Sequence, residues 1–450
     1  MRTNLATDAL PSLLAKLTIP SLIALFASSL YSITDSIFLG RAVGELALAG
    51  LGYASPVQLF LVAFAQMFGA GSASLISRAL GKQDDKRAGS AFSAVFIALL
   101  LTVCTLALFF FLVPTVLLKG DNPQVQEQAI AYLSILLPFT PFFCASTFLA
   151  AILRSEGKAE KALFLLLLGN GLNIALDALF ILQFGWGIRG AALATALGHT
   201  GACIYAVSLL MSKHVLLRPN KPAFRLLKEI IPLGLPSLIR QLGTTLVIAA
   251  VNALLIKTAG QAALASYTIV NQLTMLAYLP LSALVMGFSP IAGFSYGAGD
   301  KKRLASLIKL SFMWQIGIGL MLLGVFQLFA RPVTALFSSD ETLITSTIPL
   351  VRIVLATIPL IGIQSLGAAY FQSIGKSLQS LLLWTSRQFL LLLPLLFIFS
   401  SLFGSTGLWF SFPLSDVMAV GVTGILIFWE SKAQGSDFCP ENEKSVLIRD

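Results

Sequence analysis

Residues 162–182 read ALFLLLLGNGLNIALDALFIL and contain a single charged residue, Asp177. A transmembrane helix needs ~20 predominantly apolar residues, so this segment is long enough to cross a bilayer. Similar runs occupy residues 91–118 and 378–401. Of the 450 residues, 57% are hydrophobic and only 11% are charged, whereas soluble domains carry roughly 25% charged residues. We predict an all-α polytopic membrane protein, which excludes a disordered chain, a secreted disulfide scaffold and a cytosolic enzyme.

Polar residues, glycines and prolines divide the chain into twelve predicted transmembrane helices, with no room for a soluble domain. The predicted spans are 12–39, 46–77, 88–118, 124–152, 159–183, 188–212, 228–256, 262–295, 303–336, 341–373, 378–401 and 407–430. Twenty-two Lys and Arg residues fall in one set of loops, here called the basic side, and five in the opposite set. Such loops stay cytoplasmic, so we expect both termini inside. Topology therefore accounts for the net charge of +10, and no nucleic-acid partner is expected.

An internal duplication is visible when the sequence is aligned with itself. Residues 20–23 (PSLI) align with residues 236–239 (PSLI), and the same alignment continues without a gap to residues 47–49 (ALA) and residues 263–265 (ALA). Each repeat holds six helices, and an even number returns the chain to its starting side, so the two repeats are predicted to be parallel. Two such bundles around a central cavity are typical of an alternating-access transporter. We predict an N-terminal lobe over 1–211, a basic linker over 212–227, a C-terminal lobe over 228–430 and a cytoplasmic tail over 431–450.

Carboxylates inside transmembrane helices are costly and usually mark an ion or proton path. Asp35 follows the basic-side residue Lys16 on one predicted helix, and Asp177 follows Lys161 on another. At a rise of about 1.5 Å per residue, the two carboxylates are about 28 Å and about 24 Å from the basic side. They are therefore expected at similar depth. An alternative for each is a structural hydrogen bond to a neighbouring helix.

Further polar residues are predicted at the depth of the two carboxylates. The spacing of Asn170, Asn173 and Asp177 places them on one helix face. The helix that carries Thr195 enters the membrane from the opposite side, which places Thr195 at a similar depth. These side chains are expected to bind Na⁺ through oxygen atoms or to share a proton. Candidates for the substrate cavity and for gating are Tyr31, Pro20, Asn170, Arg240 and Asp416. Pro20 permits a kink in the helix that carries Asp35, and Arg240 is a candidate ionic partner of Asp416.

No phosphate-binding loop, metalloprotease motif or nucleophile–base pair is present, so we expect neither an enzyme nor an ATP-driven pump. An ion gradient must then supply the energy, at ~2.3 kcal/mol per charge per 100 mV. No cofactor is expected beyond the coupling ion, H⁺ or Na⁺.

The chain resembles the multidrug and toxic compound extrusion (MATE) family, and its residues 170–181 (NGLNIALDALFI) are similar to the helix-five signature of the DinF-like prokaryotic branch. Helix one with Tyr31 and Asp35, and residues 190–195 (GAALAT), are also similar to that branch. The resemblance implies an antiporter that exports small organic, often cationic, compounds across a bacterial or archaeal inner membrane in exchange for H⁺ or Na⁺. It places the cation site on Asp35, Asn173, Asp177 and Thr195.

An alternative function is a flippase for lipid-linked oligosaccharides or lipids, from the same superfamily. A flippase would be expected to have a strongly cationic cavity, and the few basic residues within the spans of this chain argue against it. A second alternative is a receptor or a structural membrane protein, which would show no ion-coupled transport. We expect the transporter to be a monomer in the lipid bilayer.

Overall fold

The computed structural model describes residues 4–113, 122–211 and 218–433, and this part of the chain is helical with no strand. In the first repeat the helices are α1 Leu10–Phe38, α2 Glu45–Gly81, α3 Asp85–Leu112, α4 Pro123–Ser155, α5 Ala159–Asp177 and α6 Gly187–Met211. The end of the third predicted span (114–118), part of the linker (212–217) and most of the tail (434–450) lie outside the described residues.

Two glycines divide continuous helical runs of the second repeat. Gly260 (φ 76°) interrupts Leu227–Gly297, and Gly404 (φ 62°) interrupts Leu393–Ala433. Both φ angles lie in the left-handed region that glycine adopts without steric cost. The helices are α7 (227–259), α8 (261–297), α9 Lys301–Leu328, α10 (Glu341–Val354, the 3₁₀ turn Leu355–Thr357 and Ile358–Ser373), α11 (Ser377–Thr385, the π turn Ser386–Leu392 and 393–403) and α12 (405–433). Counted in this way, the described residues form the twelve predicted spans.

The chain forms two compact units whose borders cross several helices. The first unit comprises Met1–Leu246, Tyr278–Asp300 and Tyr370–Leu378, and the second comprises Val247–Ala277, Lys301–Ala369 and Gln379–Asp450. The first unit therefore contains the first repeat together with the basic-side ends of α7, α8 and α10. The lobe boundaries at 1–211 and 228–430 stay a prediction.

Within the first unit, α2 and α7 approach each other so closely that only glycine fits. A Cβ atom on Gly71 would lie 2.3 Å from the carbonyl oxygen of Ile230, and one on Gly234 would lie 2.0 Å from that of Met67. Small residues at such crossings let the two backbones touch in a membrane, where packing rather than water exclusion holds helices together. The contact thus fixes the basic-side end of α7 against the first repeat.

The outward faces of the helices are apolar. On α3, Leu101, Leu108 and Leu112 are exposed by 63%, 57% and 69%, and their spacing places them on one stripe. The opposite face of α3 buries Phe92 and Val95. All backbone groups of a helix are paired internally, so an apolar stripe of this kind is compatible with hydrocarbon. The exposed stripe is the surface that α3 presents to lipid.

Candidate functional site

Two carboxylates of the first unit are buried on adjacent helices. Asp35 on α1 is 8% exposed and Asp177 at the end of α5 is fully buried, and α1 packs directly against α5. Each carboxylate interacts with the other and lies close enough to share a hydrogen bond if one of them carries a proton. The expectation of matching depth thus agrees with a direct interaction between the two side chains.

The backbone changes geometry beside both acids. After Asp35, α1 continues as the π turn Leu39–Val43, and directly after Asp177, α5 continues as the π turn Ala178–Gln183. Such turns are rare and occur frequently at functional sites, because the extra residue widens the helix and redirects neighbouring side chains. The two π turns also contact each other. Each acid precedes one of these turns along the chain, so both carboxylates lie next to the same pair of contacting turns.

An amide and a hydroxyl complete the ring of polar groups around the acids. Asn173 is 1% exposed and Thr195 on α6 is also 1% exposed. Asn173 donates a hydrogen bond from Nδ2 to Thr195 Oγ1 over 3.0 Å. Because Nδ2 donates to Thr195, Oδ1 is the atom of the Asn173 amide that remains to contact a cation or a donor.

Several buried oxygens of this cluster have no fixed donor in the described part of the chain. They are Asp35 Oδ1, both carboxylate oxygens of Asp177 and Asn173 Oδ1, and the Nδ2 atom of Asn170 is also without a hydrogen-bond partner. Buried polar groups in proteins are nearly always hydrogen-bonded, so a concentration of unpartnered oxygens requires an explanation. A proton or a Na⁺ ion would supply the missing positive partner, and hard cations prefer carboxylate and carbonyl oxygens.

Two tyrosines border the cluster, one of which the sequence did not single out. Tyr31, predicted from its spacing to Asp35, and Tyr132 on α4 both lie within hydrogen-bonding reach of Thr195. Tyr132 is 2% exposed and interacts electrostatically with both acids. The depth of Tyr132 in the membrane could have indicated this residue from the sequence, because Tyr132 follows the first residue of α4, Pro123, by about 14 Å. The site therefore draws on α1, α4, α5 and α6, and α4 was missing from the prediction.

The comparisons with known proteins identify the family of the chain. The sequence profile of the family described as MatE matches residues 20–179 and matches again over residues 236–398. The two matches begin at the two prolines that open the aligned PSLI segments of the internal repeat. The chain belongs to the MatE family. Both the predicted resemblance and the predicted class of fold are thereby confirmed.

Relatives of this MatE chain extend over nearly its whole length. The multidrug export protein MepA of Staphylococcus haemolyticus is 25% identical over 422 residues, covering 91% of this chain and 92% of the relative. MepA of Staphylococcus aureus strain N315 is 24% identical over the same length and coverage. Among solved structures, the outward-facing conformation of a multidrug resistance MATE family transporter of the MOP superfamily has a TM-score of 0.90 and 25% identity, covering 97% of this chain and all of that one.

The remaining predicted residues of this MatE chain have other described surroundings. Pro20 is buried within α1, several turns before Asp35. Arg240 on α7 donates to Gln66 Oε1 at 3.4 Å. Asp416, the predicted ionic partner of Arg240, accepts from Arg387 Nε at 2.7 Å and from the Thr357 hydroxyl at 2.7 Å, and its pairing with Arg240 stays a prediction.

Proposed function

We propose that this chain is a secondary active multidrug efflux antiporter, which exports organic, often cationic, compounds in exchange for H⁺ or Na⁺. Its relatives are multidrug exporters, and it is a multi-pass membrane protein of their family. The bacterial relatives support a location in the inner membrane of a bacterial or archaeal cell, and the basic loops support a cytoplasmic position for both termini. The transporter acts as a monomer, with the coupling ion as its only bound cofactor.

The observation that carries this proposal is the buried pair Asp35 and Asp177, in which Asp35 Oδ1 and both oxygens of Asp177 lack donors in the described structure. Two like charges in a low-dielectric site repel each other and are poorly solvated. A cation that enters from outside relieves both costs, so occupancy and conformation become linked. A ligand shifts a conformational equilibrium only when its affinity differs between the two conformations. The affinity of the acid pair for a cation differs in this way if the surrounding helices are close together in one conformation and apart in the other.

A second conformational element lies at the basic side of the first unit. Glu229 on α7 accepts from Arg78 at 3.3 Å and from Arg87 at 2.7 Å. Ser74 donates its hydroxyl proton to the carbonyl of Gln372, and the Gln372 amide donates to the carbonyl of Leu233 at 2.7 Å. These contacts hold helices of the two repeats together at this end, so cytoplasmic entry of a substrate requires that they break.

The test is drug-driven ion flux in proteoliposomes that contain the purified full-length chain. Ethidium gradients should drive proton or sodium movement in the wild type, and a pH gradient and a Na⁺ gradient applied separately distinguish the two ions. Asp35→Asn and Asp177→Asn should each abolish this exchange. Asp85→Asn, an acid-to-amide change at an exposed position, is the matched control and should exchange normally. Exchange that persists in both buried variants would overturn the proposed coupling.

A further inference from the structure

The described part of the basic linker, residues 218–226, is held against the start of α3 and is here called the docked linker. The backbone N–H of Asn220 donates to Ser93 Oγ at 3.2 Å. The backbone N–H of Ala223 donates to the carbonyl oxygen of Ser90 at 3.4 Å. Both partners lie on α3, within one helical turn of each other. The docked linker therefore has a fixed position on the first unit.

A glycine of α3 makes room for the backbone of the docked linker. A Cβ atom on Gly89 would lie 2.1 Å from the carbonyl oxygen of Arg218, which is too close for any other residue. In the gapless alignment of the two repeats, the position that corresponds to Gly89 is Ala305. The fold of a repeat thus accepts a Cβ atom at this position. The glycine in the first repeat is explained by the contact with the docked linker.

The docked linker crosses α3 at the basic-side end of the lipid-facing stripe. Ile97 and Leu101 follow Ser93 by one and two helical turns, and they are exposed by 38% and 63%. At a rise of about 1.5 Å per residue, Leu101 lies only about 12 Å from the level of Ser93. The docked linker therefore lies on the face of α3 that meets lipid, at the level where the apolar stripe gives way to polar residues. This is the level of the lipid headgroups.

The docked linker and the start of α7 expose basic side chains around one aromatic ring. Residues 218–228 contain no acid and four basic residues, all of them exposed, namely Arg218, Lys221, Arg225 and Lys228. Phe224 opens the 3₁₀ turn Phe224–Leu226 and is 50% exposed. The next side chains, Leu226 and Leu227, pack against the hydrophobic core of the unit. Cations that surround an exposed aromatic ring are typical of a segment in the interface between membrane and water.

The acids near the docked linker leave its positive charge in place. Glu229 accepts from Arg78 and Arg87, and Asp84 caps α3 by accepting from the backbone N–H of Arg87 at 2.9 Å. Within the described part of the chain, none of the four basic residues of 218–228 forms an ion pair. Topology explains a positive charge on this side. It explains neither the fixed position of the docked linker nor the exposed ring within it.

We propose that the docked linker is a binding site for anionic phospholipids of the leaflet on the basic side. Lys221, Arg225 and Lys228 contact the phosphate groups, and the ring of Phe224 lies among the lipids at the headgroup level. Basic segments next to a membrane attract anionic lipids, and the attraction falls off within a Debye length, so a segment fixed at the headgroup level receives it in full. A soluble phosphate compound would gain nothing from Phe224, which favours a lipid as the occupant. This inference does not depend on the proposed export function.

The test measures lipid binding to the purified full-length chain in detergent by native mass spectrometry. The two probes are phosphatidylglycerol and phosphatidylcholine with the same acyl chains. We expect the wild type to bind phosphatidylglycerol about fivefold more tightly or better, and Lys221→Gln/Lys228→Gln to reduce this preference about threefold or more. The matched control is Lys302→Gln/Lys309→Gln, which removes two exposed lysines from the start of α9 and should retain the wild-type preference. Lys309 corresponds to Ser93 in the alignment of the repeats, so the control samples a comparable depth.

The contribution of Phe224 and the source of the phosphate group are tested separately. Phe224→Ser should weaken binding of both lipids about twofold or more while leaving the preference for phosphatidylglycerol in place. Glycerol 3-phosphate in millimolar excess should not displace phosphatidylglycerol from the wild type. Three results would each overturn the inference: a wild type without a preference, an equal loss of preference in the two lysine variants, or displacement by glycerol 3-phosphate, which would assign the site to a soluble compound.

Discussion

The hydrogen bond from Asn173 Nδ2 to Thr195 Oγ1, 3.0 Å long, determines which end of the Asn173 amide is left without a partner. Because the nitrogen is held by α6, the oxygen is left without a donor, as are the oxygens of Asp177 one turn further along α5. An amide oriented in this way enlarges the set of oxygens available to a cation. The Thr195 hydroxyl thus acts on the proposed site by orienting a neighbouring side chain.

Replacement of Thr195 by valine should weaken coupling without unfolding the protein. Valine has a similar shape but cannot accept the bond from Asn173, and the net loss for one buried hydrogen bond is about 1 kcal/mol. The Asn173 amide is then free to turn its nitrogen towards the cation. We expect the apparent affinity for the coupling ion to fall at least fivefold in proteoliposome exchange, with the unfolding temperature in detergent nearly unchanged. An unaltered ion affinity would show that the orientation of Asn173 is irrelevant to coupling.

Tyr132 should contribute to the same site through its hydroxyl alone. Tyr132→Phe keeps the buried ring and removes the group that lies within reach of Thr195. We expect ion-driven ethidium exchange to slow by about threefold to tenfold, while thermal stability stays close to that of the wild type. Tyr53→Phe on α2 is the control, because Tyr53 is 43% exposed and lies outside the cluster. Equal exchange rates in the two variants would remove Tyr132 from the site.

The sequence was sufficient to find most of this site, for a reason that is specific to membrane helices. Depth follows from a constant rise per residue, so Asp35 and Asp177 were placed at one level before any contact was known. The depth of a residue does not show which helices lie beside its own helix in the plane of the membrane. Arg240 and Arg387 were both available to Asp416 on that basis, and only the packing of α11 against α12 selects Arg387. Tyr132 was missed because a tyrosine within an apolar run is also an ordinary packing residue.

Removal of the Glu229 carboxylate should open the basic side of the first unit more often. Glu229→Gln weakens the pairs with Arg78 and Arg87, and such partly exposed pairs contribute up to about 1 kcal/mol each. We expect faster labelling by a membrane-impermeant maleimide at Ser77→Cys, a position that is 1% exposed, in a background without native cysteines. The increase should be a few-fold and should shrink in high salt, which already screens the pairs.

The control for this experiment is Asp8→Asn, which removes the Lys16–Asp8 pair within the first repeat. It should leave the labelling rate at position 77 unchanged. Labelling of the Glu229→Gln variant at the wild-type rate would indicate that the glycine contacts between α2 and α7 hold this end closed without help from the ion pairs.

The start of α10 should be sensitive to acid. Asp340 accepts hydrogen bonds from the backbone N–H groups of Thr342 and Leu343, which lowers the pKa of its carboxyl below the ordinary value of 3.8. The folded-state pKa is depressed, so the cap stabilises the helix start fully above about pH 4 and loses this effect as the pH falls through the folded-state value. Hydrogen exchange at Thr342 and Leu343 should therefore show less protection at pH 3 than the intrinsic rate change alone predicts. Asp340→Asn retains a capping oxygen that does not titrate, so its protection should not depend on pH in this range, and a pH dependence equal to that of the wild type would assign the effect to another group.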